Sequence, residues 1–288
     1  MKKLVGVYHN PRGHWVGDGF PVRTLFAYDG FGQQLSPFLM LDHAGPQAFS
    51  PTDRPRGVGQ HPHRGFETVT IVYEGEVAHR DSSGGGGIIG KGDVQWMTAG
   101  AGIIHEEFHS PAFSEKGGLL EMVQLWVNLP AKDKMTPPRY QSITSADIPV
   151  VQLADDAGLV RVIAGDFNGQ RGAAMTFSPV DVWDVRLQAG KSTTLSVPEG
   201  RAVAVIVLHG EVQVNDGQAV PEAHMAVLAS AESAFVLSAA SAATILVLSG
   251  AALHEPIEGY GPFVMNTKQE IRQAIHDFNS GRFGQIVS

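Results

Sequence analysis

The stretch His61-Pro62-His63-Arg64-Gly65-Phe66-Glu67-Thr68, continuing as VTIVYEGEV at 69–77, decides how the chain is read. Two histidines stand at i and i+2 and lead, through a turn glycine, into a β-branched run. Side chains two apart on an extended strand share a face, so the imidazoles can grip one ion or stand as two polar loop residues. Pro62 is unfavourable inside a ladder and puts the pair at a strand start or edge. The β run has a counterpart downstream, VAVIVLHGEVQV at 203–214. Both carry Gly-Glu-Val at or near their ends, at 75–77 and 210–212, and both precede an Asp-containing turn. Asn215–Gly217 carries the residues a tight hairpin needs. Setting Gly75 on Gly210 makes two similar halves, and short β runs with Gly and Pro punctuation recur along both. The expected fold is all-β, an antiparallel sandwich or barrel in each half. The expected domains are 1–135, a connector at 136–149, and 150–288. The second domain is expected to carry a C-terminal helix over Lys268–Asn279, capped by Thr267 with Glu270 in the capping-box position.

Composition narrows the chemistry. The 288 residues include no cysteine and 12 histidines. Thiolate nucleophiles, disulfide frameworks and zinc fingers are therefore excluded, and histidine becomes the leading ligand type. The formal charge of −8 argues against nucleic-acid binding by bulk charge. No apolar run is long enough to cross a bilayer and no secretory leader is legible at the start, so cytoplasm is the default expectation. There is no GxSxG elbow, and the glycines at 84–87 lack a following GK[ST] and read as a flexible loop.

A second segment, GDVQWMTAGAGIIHEE at 92–107, repeats the i, i+2 relation in His105 and Glu107 and turns Glu106 to the opposite face. Three imidazoles and a carboxylate, with no soft thiolate available, suit a divalent first-row metal with positions open to water, substrate or dioxygen. In the downstream half the positions matching His61 and His63 are Ser196 and Pro198, Glu67 falls on Ala202, and the region matching His105 lies near Ser238. The second half is expected to hold no catalytic metal.

HPHRGFET at 61–68, GDVQWMTAGAGIIHEE at 92–107, QLWVNLP at 124–130 and GPFVMNTKQEI at 261–271 resemble the pirin family over nearly the whole chain. The resemblance implies two stacked cupin β-barrels. It implies one metal ion in the N-terminal barrel, usually Fe(II), with Mn, Co, Ni, Cu or Zn as other candidates. It places the metal ligands on His61, His63, His105 and Glu107. Glu67, a ligand position in many other cupins, is then expected to hydrogen-bond rather than ligate. Some pirins resemble quercetinases, which open a flavonol with O2 and release CO, and Glu107 is the candidate for handling the 3-hydroxyl proton. Others act as iron-binding, redox-responsive partners of regulatory proteins. The implied partners are a flavonol-like substrate and O2, or a protein. Arg64 is expected to pair locally, His43, His79 and His109 to be surface or hydrogen-bonded residues, and Trp96 and Trp126 to lie in the core.

Overall fold

The computed structural model describes residues 1–287. Every strand ladder is antiparallel, and the chain forms two compact units. The unit that holds the HxH segment contains a seven-stranded sheet. Its order is Arg139–Ile143, Val94–Thr98, Phe66–Glu74, Gly118–Asn128, Phe38–Phe49, Phe20–Ala27, His14–Val16. A four-stranded sheet runs Gly57–His63, Ile103–His109, Val77–Asp81, Gly86–Ile89. Phe20, Val22, Val72 and Met122 of the larger sheet pack with Val77 and Ile89 of the smaller, closing a sheet-on-sheet core.

The other unit repeats this plan. Its larger sheet runs Leu4–His9, His224–Leu228, Val203–His209, Ala243–Gly250, Val180–Leu187, Gly158–Ala164, Val150–Gln152. Its smaller sheet runs Lys191–Ser196, Ala234–Ala239, Glu211–Val214, Ala219–Pro221. The Phe66–Glu74 and Val203–His209 strands hold matching positions, so the shared Gly-Glu-Val does mark equivalent strands. The interiors differ. Where the first unit's small sheet carries the HxH and HxE pairs, the second carries Leu195, Phe235 and Leu237 in a continuous apolar core with Val205, Val207 and Val247.

The domain boundaries differ from the sequential ones expected from sequence. Residues 1–11 and 33–37 belong with 146–252, and the chain from Leu253 onward belongs with 12–32 and 38–145. The N-terminal strand pairs with His224–Leu228, and buried Lys2 aims its ammonium at the carbonyls of Arg201, Ala229 and Ser230. The helix Lys268–Asn279 forms as expected, with Thr267 accepting from the Glu270 amide. It buries Ile271 and Ala274 with Phe263, Phe283 and Ile104, behind the HxE strand, rather than on the second half. The expected connector is not irregular throughout either: Arg139–Ile143 is an edge strand on Val94–Thr98. Gly86 and Gly87, expected within a flexible loop, begin a strand that pairs with Val77–Asp81, opposite Arg80 and His79.

Gly65 fixes the turn after His63. Its φ is +89°, and a Cβ there would fall 2.0 Å from the Val264 carbonyl oxygen. Gly65→Ala is expected to cost roughly 1–3 kcal/mol from the backbone conformation alone, more with the clash, read as a lowered midpoint in urea.

Candidate metal centre

His61 and His105 are direct cross-strand partners, and His63 lies opposite Ile103. This register gathers the three rings: centroids are 4.2 Å apart for His61–His105 and 4.9 Å for both His61–His63 and His63–His105. One ligand atom from each lies within 4.8 Å of the others. The His61 Nδ1–H donates to the Gly59 carbonyl at 2.8 Å and the His63 Nδ1–H to the Pro262 carbonyl at 3.3 Å. A carbonyl only accepts, so each ring keeps its lone pair on Nε2. His105 is wholly buried, and its Nε2 has no hydrogen-bond partner among the described residues.

Burial, reinforced by the neighbouring imidazoles, drives His105 well below the ordinary histidine value. Burial likewise pushes His63 down to about 3, with the charge on His61 adding to it and a Pro262 hydrogen bond opposing. Both rings are therefore neutral near neutral pH and hold lone pairs ready for a cation. A buried nitrogen with no partner is costly, and a bound cation is what would satisfy it. The donor set fits a first-row metal.

Glu107 follows His105 across a bulge and faces the same interior. Its Oε1 accepts from Gln95 Nε2 and from Thr70 Oγ1, the latter at 3.3 Å, and its Oε2 accepts from Gln124 Nε2 at 2.9 Å. It shares the 4.8 Å limit with His105 and His79, but not with His61 and His63 together. Glu106 points the other way, as the alternation requires, and pairs with Arg80.

Glu67 is in neither three-donor group and accepts from Thr98 Oγ1 at 2.8 Å. Burial pushes its carboxyl up to about 7, against the Thr98 hydrogen bond and the charge of Arg139. The folded protein thus keeps a proton that the unfolded chain releases near 4.5. That contribution is complete below about 4.5 and is lost as pH rises through about 7. Glu67→Gln, which mimics the protonated form, should gain stability over wild type on going from about pH 5 to about pH 8, on the order of 2–3 kcal/mol. Denaturant melts at the two pH values check this.

The other sequence candidates have structural partners. Arg64 donates to the Ala101 carbonyl and to Asp277 of the C-terminal helix, a carboxylate 213 residues away rather than a local one. His43 bonds Glu121 and His109 bonds the Gly19 carbonyl. Trp96 is fully buried, and Trp126 packs against Phe66 and His63. His79 is more engaged than its sequence context suggests: it is buried, stacked on Tyr140, and bonded to Asp81. Thr70, Gln95, Gln124, Asp81 and Tyr140 also face the site, and sequence motifs do not mark them. Signals existed in the His79-Arg80-Asp81 repeat of the i, i+2 spacing and in glutamines interrupting the apolar runs VQWM and VQLWV.

A family model described as Pirin matches residues 19–127, and one described as the Pirin C-terminal cupin domain matches 182–284. The chain belongs to the pirin family. Its two β units are cupin domains, as in other pirins. A Pseudomonas aeruginosa relative, named provisionally a quercetin 2,3-dioxygenase, is 59% identical over 98% of this chain and 99% of its own. The crystal structure of a quercetin 2,3-dioxygenase from Acinetobacter baumannii superposes with a TM-score of 0.97 at 60% identity, covering 100% of both chains. A bacterial pirin from Escherichia coli, solved with nickel(II), shares the fold at a TM-score of 0.68 and 22% identity, covering 86% of this chain and 99% of its own. Among the described residues of this pirin, no helix is long and apolar enough to cross a membrane.

Proposed function

We propose that this pirin is a metal-dependent dioxygenase that opens the central ring of a flavonol with O2. In that reaction both oxygen atoms enter the cleaved product and the carbon bearing the 3-hydroxyl leaves as CO. The observation that carries the reading is the cluster of three buried or half-buried imidazoles with the unpartnered His105 Nε2, in a chain whose close relatives bear that enzyme's name. His61, His63, His105 and Glu107 are the proposed ligands of one divalent ion, with Fe(II) the leading candidate. When bound, such an ion supplies Lewis acidity that stabilises the charge of a flavonol enolate.

The chain's own residues set up the rest. The Gly59 and Pro262 carbonyls hold His61 and His63 in one tautomer. Gln95, Thr70 and Gln124 hold the Glu107 carboxylate. Glu107 accepts the 3-hydroxyl proton once one of these donors lets go. Val16, Phe20, Val22, Val58 and Met122 make an apolar wall beside His61 and Glu107, which keeps bulk water from a reactive enolate. The space there is only about 20 Å³, room for roughly one water. A flavonol is far larger than that space, so its entry requires the lining residues to part.

The narrowness of that space favours a second reading. The same metal site could serve as a redox-responsive switch read by a protein partner, and no organic substrate need then enter. The test is anaerobic loading with Fe(II), Mn(II), Co(II) or Ni(II), followed by quercetin and O2. The dioxygenase reading expects flavonol loss with an equal yield of CO. Fully loaded protein that gives neither overturns it and leaves the regulatory reading.

A further inference from the structure

His61 and His63 owe their tautomers to carbonyls, but the partner of His105 is another imidazole. His105 Nδ1 and His79 Nδ1 lie 3.4 Å apart, and either nitrogen could carry the proton. The third member of the chain settles which. His79 Nε2 lies 3.1 Å from Asp81 Oδ2, with both side chains wholly buried. The other Asp81 oxygen, Oδ1, accepts from Ser83 N at 2.8 Å, from Ser83 Oγ at 2.6 Å and from Gly85 N at 3.0 Å. Asp81 is thus surrounded by donors and acts as a carboxylate that can only accept. Its contact with His79 therefore requires the proton on His79 Nε2. His79 Nδ1 is then a bare acceptor, and His105 must donate to it from Nδ1. The lone pair of His105 is left on Nε2, the nitrogen with no partner among the described residues.

We propose that Asp81 and His79 are positioning residues that fix His105 in its Nδ1–H tautomer and so turn a bare Nε2 toward His61 and His63. His79 is excluded as a ligand by the same logic, although its position allows a second triad with His105 and Glu107: both of its nitrogens are already used. Tyr140, stacked on His79 with ring centroids 4.9 Å apart, holds the plane of the middle ring. The tautomers exist without a metal. Only their consequence for affinity rests on the metal-site reading.

The variant that tests this is Asp81→Asn. The three donors at Oδ1 keep the amide oxygen facing the Ser83–Gly85 turn, so the new NH2 faces His79. His79 must then accept at Nε2 and carry its proton on Nδ1. His105 must in turn accept at Nδ1 and carry its proton on Nε2, the nitrogen meant for the metal. Replacement of a histidine-orienting aspartate by asparagine has this tautomer-inverting effect in hydrolase triads.

Metal-free protein labelled with 15N-histidine reports both tautomers directly through two-bond 15N–1H correlations at neutral pH. The wild type is expected to show His105 protonated at Nδ1 and His79 at Nε2, and Asp81→Asn to show both reversed. Ni(II) affinity by chelator competition is expected to fall about 10–100-fold in the variant. A wild-type His105 protonated at Nε2 overturns the proposal, as does an Asp81→Asn protein whose tautomers are unchanged. If the variant does not fold, the wild-type spectrum alone still decides. Wild-type protein that shows the expected tautomers but holds no Ni(II) supports the positioning roles and contradicts the metal reading, so the two failures are distinguishable.

Discussion

His105→Ala should bring metal content from near one ion per chain to background while leaving the chain folded. His105 is the one residue common to both three-donor groups among the described residues, His61–His63–His105 and His79–His105–Glu107. Removing it leaves no third donor for either. Loss of a residue that merely orients a ligand costs about 10–100-fold in affinity, and loss of this ligand is expected to exceed that range. The effect on stability should be small by comparison. The deletion leaves His79 Nδ1 unpaired, worth roughly 1–3 kcal/mol, but it also removes a buried ring whose Nε2 is itself unpaired in the metal-free protein. Elemental analysis and a thermal melt separate the two effects. Wild-type metal content in the variant would contradict the assignment.

Glu107→Gln is the second large effect, and Glu106→Gln is its control. Glu107 meets donors at both oxygens, the amides of Gln95 and Gln124 and the hydroxyl of Thr70. A glutamine there sets an NH2 against a donor, a mismatch of about 1–3 kcal/mol, and lowers metal retention. If the carboxylate also takes the 3-hydroxyl proton, turnover per bound metal falls by a further ~10²–10⁴-fold. Rate per bound metal is the quantity to compare, because rate per protein mixes occupancy with chemistry. Glu106 faces the other way and pairs with Arg80, a side chain 60% exposed. Such a pair is worth no more than about 1 kcal/mol, so Glu106→Gln is expected to keep its metal and its rate. The reverse ranking of the two glutamates would mean that the carboxylate at the metal lies on the other face of the strand.

Much of this was legible because strand alternation is a local rule. The i, i+2 spacing of His61 with His63 and of His105 with Glu107 put each pair on one face, and the structure adds the register that brings His105 opposite His61. The repeated Gly-Glu-Val marked equivalent strands in the two sheets. The domain boundaries were not legible in the same way. Strand pairing across more than 200 residues, as between Tyr8 and Met225, leaves no periodic signal. The amphipathic pattern of Lys268–Asn279 shows which face is buried but not what buries it, so sequence order alone places the helix with the half it follows rather than with the one whose Ile104 and Phe263 it covers. The donors around Glu107 come from three separate strands, and Gln95 and Gln124 look like ordinary polar interruptions until the fold gathers them. Tyr140 lay in a Pro-rich stretch that reads as a connector, yet it stacks on His79.

The most direct test of the metal assignment is an anomalous difference map from crystals of the Fe(II)-loaded protein, recorded above the iron absorption edge. The account expects a single peak per chain, within bonding reach of His61, His63, His105 and Glu107, with His79 one ring removed from it. A peak seated on His79, a second peak in the other cupin domain, or no peak in protein that has taken up iron would contradict it.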